Sequence, residues 1–484
     1  MLGNLPTSVE YFRFLPETIL TIAGLLIMMM EAFRKEDDRR PYVAVSLITL
    51  VIALGATMAA AGDPGPAFSN MLSVDAFASF FRVLVIGVGI LAVLGSSEYL
   101  SRERQLGGEY YALIIFSVIG QCVMVDANEL IMIFVGLEIS SIASYVLAGY
   151  LRDDTRNNES ALKYFLLGSF ATAFLLYGVA WIYGLTGSTN LSVIRQALMT
   201  NPVPSIALTG AAAALMLVGF GFKISAVPFQ VWAPDVYQGA PAPVSAFLSV
   251  GPKAAAFAVL LRVFLVAFEP IAASWVPVVG ACALLTMFVG NLAALQQNNI
   301  KRMLAYSSIA HAGYVLVAVT AHSGIGSSAA MFYLAAYAFT NLGAFAVVSH
   351  VARKGEKFVS IDDFAGLSQR HPGLAAMMTI FLLSLIGVPL TGGFFGKFYI
   401  FKAALDANLI WLTILGLLNS AIAAYYYLRI LVVMYMNDPG ESTKDLQPAG
   451  YGLKTAIYLS ALGTLILGIF PGVVLDWATK AALK

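Results

Sequence analysis

Hydrophobic positions in this chain form long runs that short polar segments interrupt at nearly regular intervals. Each run approaches the roughly 20 apolar residues that a helix needs to cross the hydrocarbon core of a membrane. The pattern predicts an all-α polytopic membrane protein with about fourteen transmembrane helices and no folded domain in its loops. The expected spans, of which the seventh and twelfth are irregular, are 13–33, 41–61, 75–96, 109–125, 129–150, 160–185, 206–224, 243–267, 274–295, 301–321, 328–350, 373–401, 409–435 and 453–475.

Composition excludes several other classes of protein. Of the 484 residues, 59% are hydrophobic and only 11% are charged. Because soluble domains carry about 25% charged residues, this chain has too few polar side chains to cover a soluble globule of its size. A soluble enzyme and a disordered protein are therefore excluded, and membrane lipid is the expected surrounding. The net charge of +1 provides no electrostatic basis for binding nucleic acid.

Positive charge in the short loops predicts the orientation of the helices. Sixteen Lys and Arg lie in alternate connections, against five on the opposite side. Because basic short loops remain in the cytoplasm, we expect both termini on the outer face. The sixteen are Arg34, Lys35, Arg39, Arg40, Arg102, Arg104, Arg152, Arg156, Lys301, Arg302, Arg353, Lys354, Lys357, Arg370, Lys444 and Lys454, and the five are Arg13, Arg195, Lys402, Lys480 and Lys484.

The two cysteines argue against a redox centre or a metal site on this chain. Cys122 and Cys282 lie far apart within apolar runs, and neither belongs to a CxxC motif. Iron–sulfur clusters and structural zinc require several such ligands at close spacing. We expect both residues to be small buried hydrophobic groups.

Seven basic residues remain within or at the edge of the predicted helices, where a charge at the bilayer centre costs about 2.5–3.5 kcal/mol. Those near helix ends, Arg82, Arg262 and Arg429, are expected to extend to the interface. Glu17 and Asp126, which also flank helix ends, are expected to be solvated. The other four basic residues are Lys163, Lys223, Lys253 and Lys397.

Lys253 and Glu138 lie near the centres of their apolar runs, too deep to reach either interface. Burial disfavours the charged form of a carboxylate and of an ammonium alike. Such groups can therefore exchange protons at physiological pH, where isolated solvated groups would not. A static ion pair that only orders the helices is the alternative interpretation for both.

Two of the predicted helices contain a break next to a lysine. Lys223 precedes Pro228 in a glycine-rich stretch, and Lys397 follows Pro389 in a similar one. Interrupted helices at membrane depth are tolerated where they line protein or water, and they mark ion sites in transporters.

These breaks stand about five helices apart, which indicates an internal repeat. Because five is odd, successive five-helix units would insert with opposite orientation. We therefore expect a single membrane domain, 1–484, that contains two inverted repeats. The first three helices occupy 1–108, the repeats 109–267 and 274–435, and the last helix 453–475.

Two further residues are candidates for the same chemistry. His311 lies inside an apolar helix, where an imidazole can relay protons between waters or serve as a hydrogen-bonded core residue. Lys163 lies near the start of its helix, where it can extend to the interface or face Glu138 from the neighbouring helix.

Three motifs resemble the antiporter-like subunits of respiratory complex I. They are the segment 221–243 with its Trp232-Ala233-Pro234-Asp235-Val236-Tyr237, the segment 299–314, and the segment 387–397. The similarity extends over essentially the whole chain. Within that superfamily the chain is most similar to the bacterial subunit N family of proton-translocating NADH-quinone oxidoreductases. Asp235-Val236-Tyr237 and Lys397 distinguish it from subunits L and M, whereas Gln230 departs from the histidine common at that position.

The resemblance implies roles for six residues in proton translocation. Glu138 and Lys223 would form a switching pair, which Lys163 would modulate. Lys253 would be the central proton carrier, His311 would join a hydrated polar axis, and Lys397 would lead to the outer half-channel.

The resemblance also implies partners and a location. NADH, FMN, iron–sulfur clusters and quinone would be held by other subunits, with no cofactor or metal on this chain. The partners would be other membrane-arm subunits, in particular a second antiporter-like subunit and small hydrophobic subunits, in a bacterial inner membrane with both termini on the periplasmic face.

Three other functions remain as alternatives. A cation/proton antiporter subunit would share the fold without redox coupling. A passive membrane scaffold would couple neighbouring subunits without moving protons itself. A membrane-embedded oxidoreductase is disfavoured because the sequence lacks ligands for haem or clusters.

Overall fold

The computed structural model describes residues 6–33, 40–105, 107–200, 206–444 and 446–483. The predicted loop residues Arg34, Lys35, Arg39 and Lys484 lie outside these ranges. The helices of the first half are α1 (Ser8–Arg13), α2 (Leu15–Ala32), α3 (Arg40–Ala60), α4 (Ala76–Arg102), α5 (Glu109–Asp126), α6 (Leu130–Ala148), α7 (Thr155–Thr186), α8 (Leu191–Thr200), α9 (Ile206–Ile224), α10 (Trp232–Gly239) and α11 (Ala242–Arg262), which a π-helical turn extends over Val263–Ala267.

The second half contains ten further helices and three short 3-10 turns at Glu269–Ile271, Lys354–Glu356 and Ile361–Phe364. Its helices are α12 (Ala272–Leu295), α13 (Ile300–Thr320), α14 (Gly324–Val351), α15 (Leu367–Arg370), α16 (Pro372–Ile386), α17 (Gly392–Asp406), α18 (Ile410–Met436), α19 (Glu441–Lys444), α20 (Tyr451–Ile469) and α21 (Gly472–Ala481).

In the described part of the chain, thirteen helical segments are long and apolar enough to cross a membrane. The predicted twelfth span is the exception, since it is divided between α16 and α17, each of 15 residues. Every predicted span thus corresponds to a helix or a broken helix, which confirms the prediction of an all-α polytopic fold. The last span ends at Ile469 rather than near 475, because Pro471 follows and a separate short helix begins at Gly472.

A small antiparallel hairpin, which the hydropathy pattern does not predict, joins α3 to α4. Its strands are β1 (Gly65–Ala67) and β2 (Leu72–Val74). Arg13, the last residue of α1, holds the hairpin in place by donating to the carbonyl oxygens of Asp63 at 2.9 Å and Pro66 at 2.7 Å. The strands are only three residues long, too short for a period-2 pattern to be recognised in the sequence.

Three helices form the centre of the molecule and are buried along almost their whole length, namely α11, α13 and α14. Burial on all sides is expected of helices surrounded by other helices rather than by lipid. Lys253 and His311 lie on two of them. Polar side chains at these positions therefore face protein and not acyl chains.

Small residues allow close helix approach in the first half. A Cβ at Gly120 of α5 would lie 2.4 Å from the backbone nitrogen of Ser140 and 2.5 Å from the carbonyl oxygen of Gly136 on α6. Only glycine permits this contact. The contact brings α6, which carries Glu138, against the rest of the first half.

Among the described residues, the basic connections beside α4, α13 and α14 lie at one end of the bundle. Lys301 pairs with Glu356 at 2.5 Å, and Arg102 donates to the carbonyl of Ser349 at 2.9 Å. At the opposite end, Arg195 pairs with Glu269 at 3.3 Å. The helix ends at Arg102, Lys301 and Ser349 therefore lie together, apart from the end that carries Arg195.

The expectation that Arg82 extends to the interface is wrong. Its side chain is fully buried and pairs with Glu17 of α2 at 2.9 Å and with Asp126 of α5. Glu17 and Asp126 are also fully buried, so they are not solvated as expected. Hydropathy locates a charge along its own helix, but it does not reveal that two other helix ends close over it.

Candidate functional site

Lys253 occupies the middle of α11, and its ammonium is bound by the neighbouring α13. Its Nζ lies 2.6 Å from the hydroxyl and 3.1 Å from the carbonyl oxygen of Ser308. The side chain is 2% exposed, and within the described residues it forms no ion pair. An ammonium held only by neutral acceptors can release its proton without breaking an ion pair.

Pro252, which precedes this lysine, alters the hydrogen bonding of α11. Proline has no N–H, so the carbonyl of Leu248 four residues earlier has no helical donor. The hydroxyl of Tyr237 in α10 donates to that carbonyl at 3.3 Å. The proline therefore links the central helix to the short helix that follows the first break.

His311 lies between two tyrosine hydroxyl groups. Its Nδ1 is 2.5 Å from the hydroxyl of Tyr333 on α14, and its Nε2 is 3.1 Å from that of Tyr427 on α18. The hydroxyl of Tyr427 is also hydrogen-bonded to Ser307, the neighbour of the serine that binds Lys253. Both imidazole nitrogens therefore have partners able to donate and to accept a proton.

Lys397 is bound by the carbonyl oxygens that the second break leaves free. Gly387 adopts a left-handed conformation with φ +94°, which ends α16 and leaves its last carbonyls without helical donors. The Nζ of Lys397 donates to the carbonyls of Leu385 at 3.0 Å and Ile386 at 2.8 Å, and to the hydroxyl of Ser420 at 2.8 Å. The negative end of the α16 dipole thus faces the ammonium.

These three predicted residues are brought together around α13. Lys253 contacts Ser308 of this helix, and Nζ of Lys397 lies 4.8 Å from the ring centroid of Tyr314, three residues after His311. A cavity of about 10 Å³ beside His311, about the volume that one water needs, extends to Thr340 and Ser384 near the second break. The arrangement is a buried polar line with two ammonium groups and one imidazole.

Lys223 lies in the last turn of α9, immediately before the first break. Its Nζ is 3.5 Å from the hydroxyl of Tyr145, and the rings of Tyr145, Tyr164 and Phe222 surround it. The indole of Trp232 donates at 2.9 Å to the carbonyl of Phe222, which also accepts from the backbone N–H of Ser225 at 3.1 Å. The break therefore builds an aromatic environment for this lysine.

Glu138 is not in contact with Lys223, although the resemblance implies a pair. Within the described part of the chain the two form no ion pair, but they are near enough to attract each other electrostatically. The carboxylate is partly exposed on α6, and its Oε1 is buried without a hydrogen-bond partner among the described residues.

Lys163 does not face Glu138. It pairs with Asp235 at 2.8 Å and with Glu159 at 2.6 Å at the end of the bundle that carries the basic connections, and its side chain is 40% exposed. Asp235 also binds Arg302 at 2.6 Å. The lysine therefore contacts α10, the short helix after the first break.

Sequence reasoning missed several residues of the site. The tyrosines Tyr145, Tyr164, Tyr333 and Tyr427 lie in apolar runs, where nothing distinguishes them from other core aromatic residues. Lys301 was expected in a cytoplasmic connection, but it is fully buried and donates to the carbonyl of Ala240 at 2.6 Å. Because Arg302 follows directly, Lys301 and Arg302 look in the sequence like two ordinary charges of a cytoplasmic loop.

Comparison with known proteins identifies the family. Residues 127–423 match the family described as "NADH:quinone oxidoreductase/Mrp antiporter, TM". NADH-quinone oxidoreductase subunit N 1 of Solibacter usitatus is 65% identical over 473 residues, which are 98% of this chain and 97% of that protein. The chain belongs to the NADH-quinone oxidoreductase subunit N family. As a member of the subunit N family, it is a membrane subunit of a translocase complex.

Solved structures agree with membership of the subunit N family. A chain of respiratory complex I from Thermus thermophilus with bound aureothin is 34% identical, with a TM-score of 0.82 and coverage of 96% of this chain and 99% of that one. A chain of the Mrp complex from Dietzia sp. has a TM-score of 0.85 and covers 98% and 97% of the two chains, but at 20% identity it shows a shared fold alone.

Proposed function

We propose that this chain moves protons across the bacterial inner membrane through Glu138, Lys223, Lys253, His311 and Lys397. The observation that carries the proposal is the arrangement around α13. Lys253 is bound by Ser308, while the neighbouring Ser307 connects through Tyr427 to His311. Buried polar groups of this kind are rare in a membrane unless they conduct ions or protons.

The mechanism is electrostatic. When Lys223 moves away from Glu138, its charge is less compensated and raises the positive potential near Lys253. The charged form of Lys253 is then less stable, and its proton leaves toward His311 and Lys397. Return of Lys223 to Glu138 restores the affinity of Lys253 for a proton from the cytoplasmic side.

Lys163 acts on this switch through Asp235. The ion pair joins α10 to α7 beside the hydrogen bond from Ser160 to the carbonyl of Val236. Trp232 of α10 in turn contacts Phe222 beside Lys223. The modulating role of Lys163 is therefore indirect.

Redox energy has to come from other subunits. Moving one charge against 100 mV costs about 2.3 kcal/mol. NADH, FMN, iron–sulfur clusters and quinone are bound by partner subunits, and quinone reduction there drives the displacement of Lys223. The neighbours in the membrane are a second antiporter-like subunit and small hydrophobic subunits.

Topology and repeat structure are part of the same proposal. We place the basic end of the bundle in the cytoplasm and both termini in the periplasm, which the excess of Lys and Arg supports. Two inverted repeats, 109–267 and 274–435, each contain one broken helix and one lysine at the break, Lys223 and Lys397. The repeats would provide two half-channels that meet at Lys253.

The test uses the assembled complex in inverted membrane vesicles. Lys253→Ala and Glu138→Gln, alone and together, are expected to lower NADH-driven proton uptake by about a hundredfold or more, the contribution typical of a positioned proton-transfer group. The matched control is Lys402→Ala, an exposed lysine on α17, which should pump normally. Normal pumping by a correctly assembled double variant would contradict the proposal.

A further inference from the structure

Three aromatic rings from three helices enclose the Lys223 ammonium. Its Nζ lies 5.1 Å from the ring centroid of Tyr145 on α6, 5.2 Å from that of Tyr164 on α7, and 5.6 Å from that of Phe222 on α9. Cations are attracted to ring faces at distances below about 6 Å, most strongly where water is excluded. We call these three residues the aromatic cage.

The cage is held in one geometry by its neighbours. Tyr164 stacks on Trp232 with centroids 4.5 Å apart and planes at 7°, and Phe222 lies 5.1 Å from the same indole. Tyr145 meets Tyr164 edge to face at 4.7 Å and 90°. The rings are therefore packed in place and cannot turn away from the lysine independently.

A glycine on α7 makes room for one wall of the cage. A Cβ at Gly168 would lie 2.2 Å from the hydroxyl oxygen of Tyr145. A phenol ring has no flexible end that could move aside, so any larger residue would displace it. The hydroxyl group that contacts Lys223 thus depends on this glycine.

The cage and Glu138 compete for one ammonium. Lys223 is buried among the rings and forms no ion pair with Glu138 among the described residues, whereas the buried Oε1 of Glu138 has no hydrogen-bond partner there. An ammonium that left a carboxylate for a purely apolar site would lose all electrostatic stabilisation of its charge. Aromatic ring faces attract the ammonium more weakly than a carboxylate does, so the lysine can return to Glu138.

We propose that the aromatic cage is the binding position of the Lys223 ammonium in the state in which it has left Glu138. Tyr145, Tyr164 and Phe222 are positioning residues, because they act through the lysine and do not carry the proton themselves. The inference rests on the proposed function, since it describes the open state of the same switch. Without the cage, Lys223 remains paired with Glu138 and the switch stays closed.

The experiment compares the removal of a ring with the removal of its hydroxyl in the assembled complex. Tyr164→Leu is expected to lower NADH-driven proton uptake roughly tenfold, while Tyr164→Phe retains most of it. Tyr145→Leu and Tyr145→Phe repeat the comparison on another helix if Tyr164→Leu does not assemble. The Phe variant should then lose part of the activity, because the Tyr145 hydroxyl lies 3.5 Å from Nζ of Lys223, but less than the Leu variant. Tyr177→Leu, the same change at an exposed position of α7, controls for general damage to the helix.

A structural measurement separates positioning from stability. Cryo-electron microscopy of the assembled Tyr164→Leu complex should place Nζ of Lys223 within about 4 Å of a Glu138 carboxylate oxygen. Equal pumping by the Leu and Phe variants, or an unmoved Lys223, would overturn the inference. The variant Lys223→Gln, measured in parallel, should not pump; normal pumping by it would instead overturn the proposed function.

Discussion

The ammonium of Lys397 donates to the carbonyl oxygen of Ile386 at 2.8 Å, across the break that separates two half-helices. The helix end therefore supplies a main-chain ligand to the ammonium. In this way a break that costs helical hydrogen bonds becomes a binding site for a cation.

This site leads to a graded prediction. Lys397→Met removes the ammonium from this site and should lower NADH-driven pumping by about a hundredfold or more. Ser420→Ala removes one of three acceptors, so pumping should fall roughly tenfold or less. Both rates are measured as proton uptake into inverted vesicles, normalised to assembled complex. A larger effect from Ser420→Ala than from Lys397→Met would contradict the geometry.

The hydroxyl of Tyr427 connects Ser307 to His311. Tyr427→Phe keeps the ring and removes only this link, so we expect pumping to fall roughly tenfold while the complex still assembles. Tyr458→Phe, the same change at an exposed position of α20, should have no effect. Equal pumping by the Tyr427 variant and the wild type would exclude the hydroxyl from the proton path.

Lys163 and Asp235 are expected to act as one unit. Lys163→Gln and Asp235→Asn should each lower pumping several-fold. The double variant should be little worse than Asp235→Asn alone, because that change already removes the pair with Lys163 as well as the pair with Arg302. A double-mutant cycle between Lys163→Gln and Glu138→Gln serves as the control. The effects of these two changes on pumping should be additive within about 0.5 kcal/mol, because the two residues are not in contact. Coupling to Glu138 instead of Asp235 would contradict the structure.

The buried cluster of Arg82, Glu17 and Asp126 should matter for stability. Arg82→Met leaves two carboxylates buried without a counter-charge, and breaking such a cluster costs about 3–5 kcal/mol. Adding Glu17→Gln and Asp126→Asn to Arg82→Met should restore most of the loss. Retention of the subunit in the solubilised complex during heating measures both effects. An equally stable Arg82→Met complex would show that the cluster is open to water.

The sequence predicts those features of the fold that depend on one stretch of the chain alone. The membrane spans are of this kind, since the hydropathy of each stretch shows where its own helix crosses the membrane. Lys223 and Lys397 could be located for the same reason, because each lies beside a Pro-Gly break that is visible in the sequence.

What escaped prediction depends on neighbouring helices. The hydropathy pattern places Arg82 at the interface, because the sequence does not show that carboxylates at the ends of α2 and α5 pack against its side chain. Lys163 contacts α10 rather than α6, and only the path of the chain after the first break decides between them. The tyrosines beside His311 become recognisable only when three helices, α13, α14 and α18, are placed together.

The buried lysines Lys253, Lys301 and Lys397 all donate to main-chain carbonyl groups. These carbonyl acceptors remain after every side-chain replacement. An alanine scan would therefore detect the lysines but not the main-chain groups that bind them. The side chains of the residues that supply these carbonyl groups are correspondingly less constrained, provided the backbone keeps its path. Amide-to-ester replacement, which weakens a single carbonyl acceptor, is the kind of change that would reveal them.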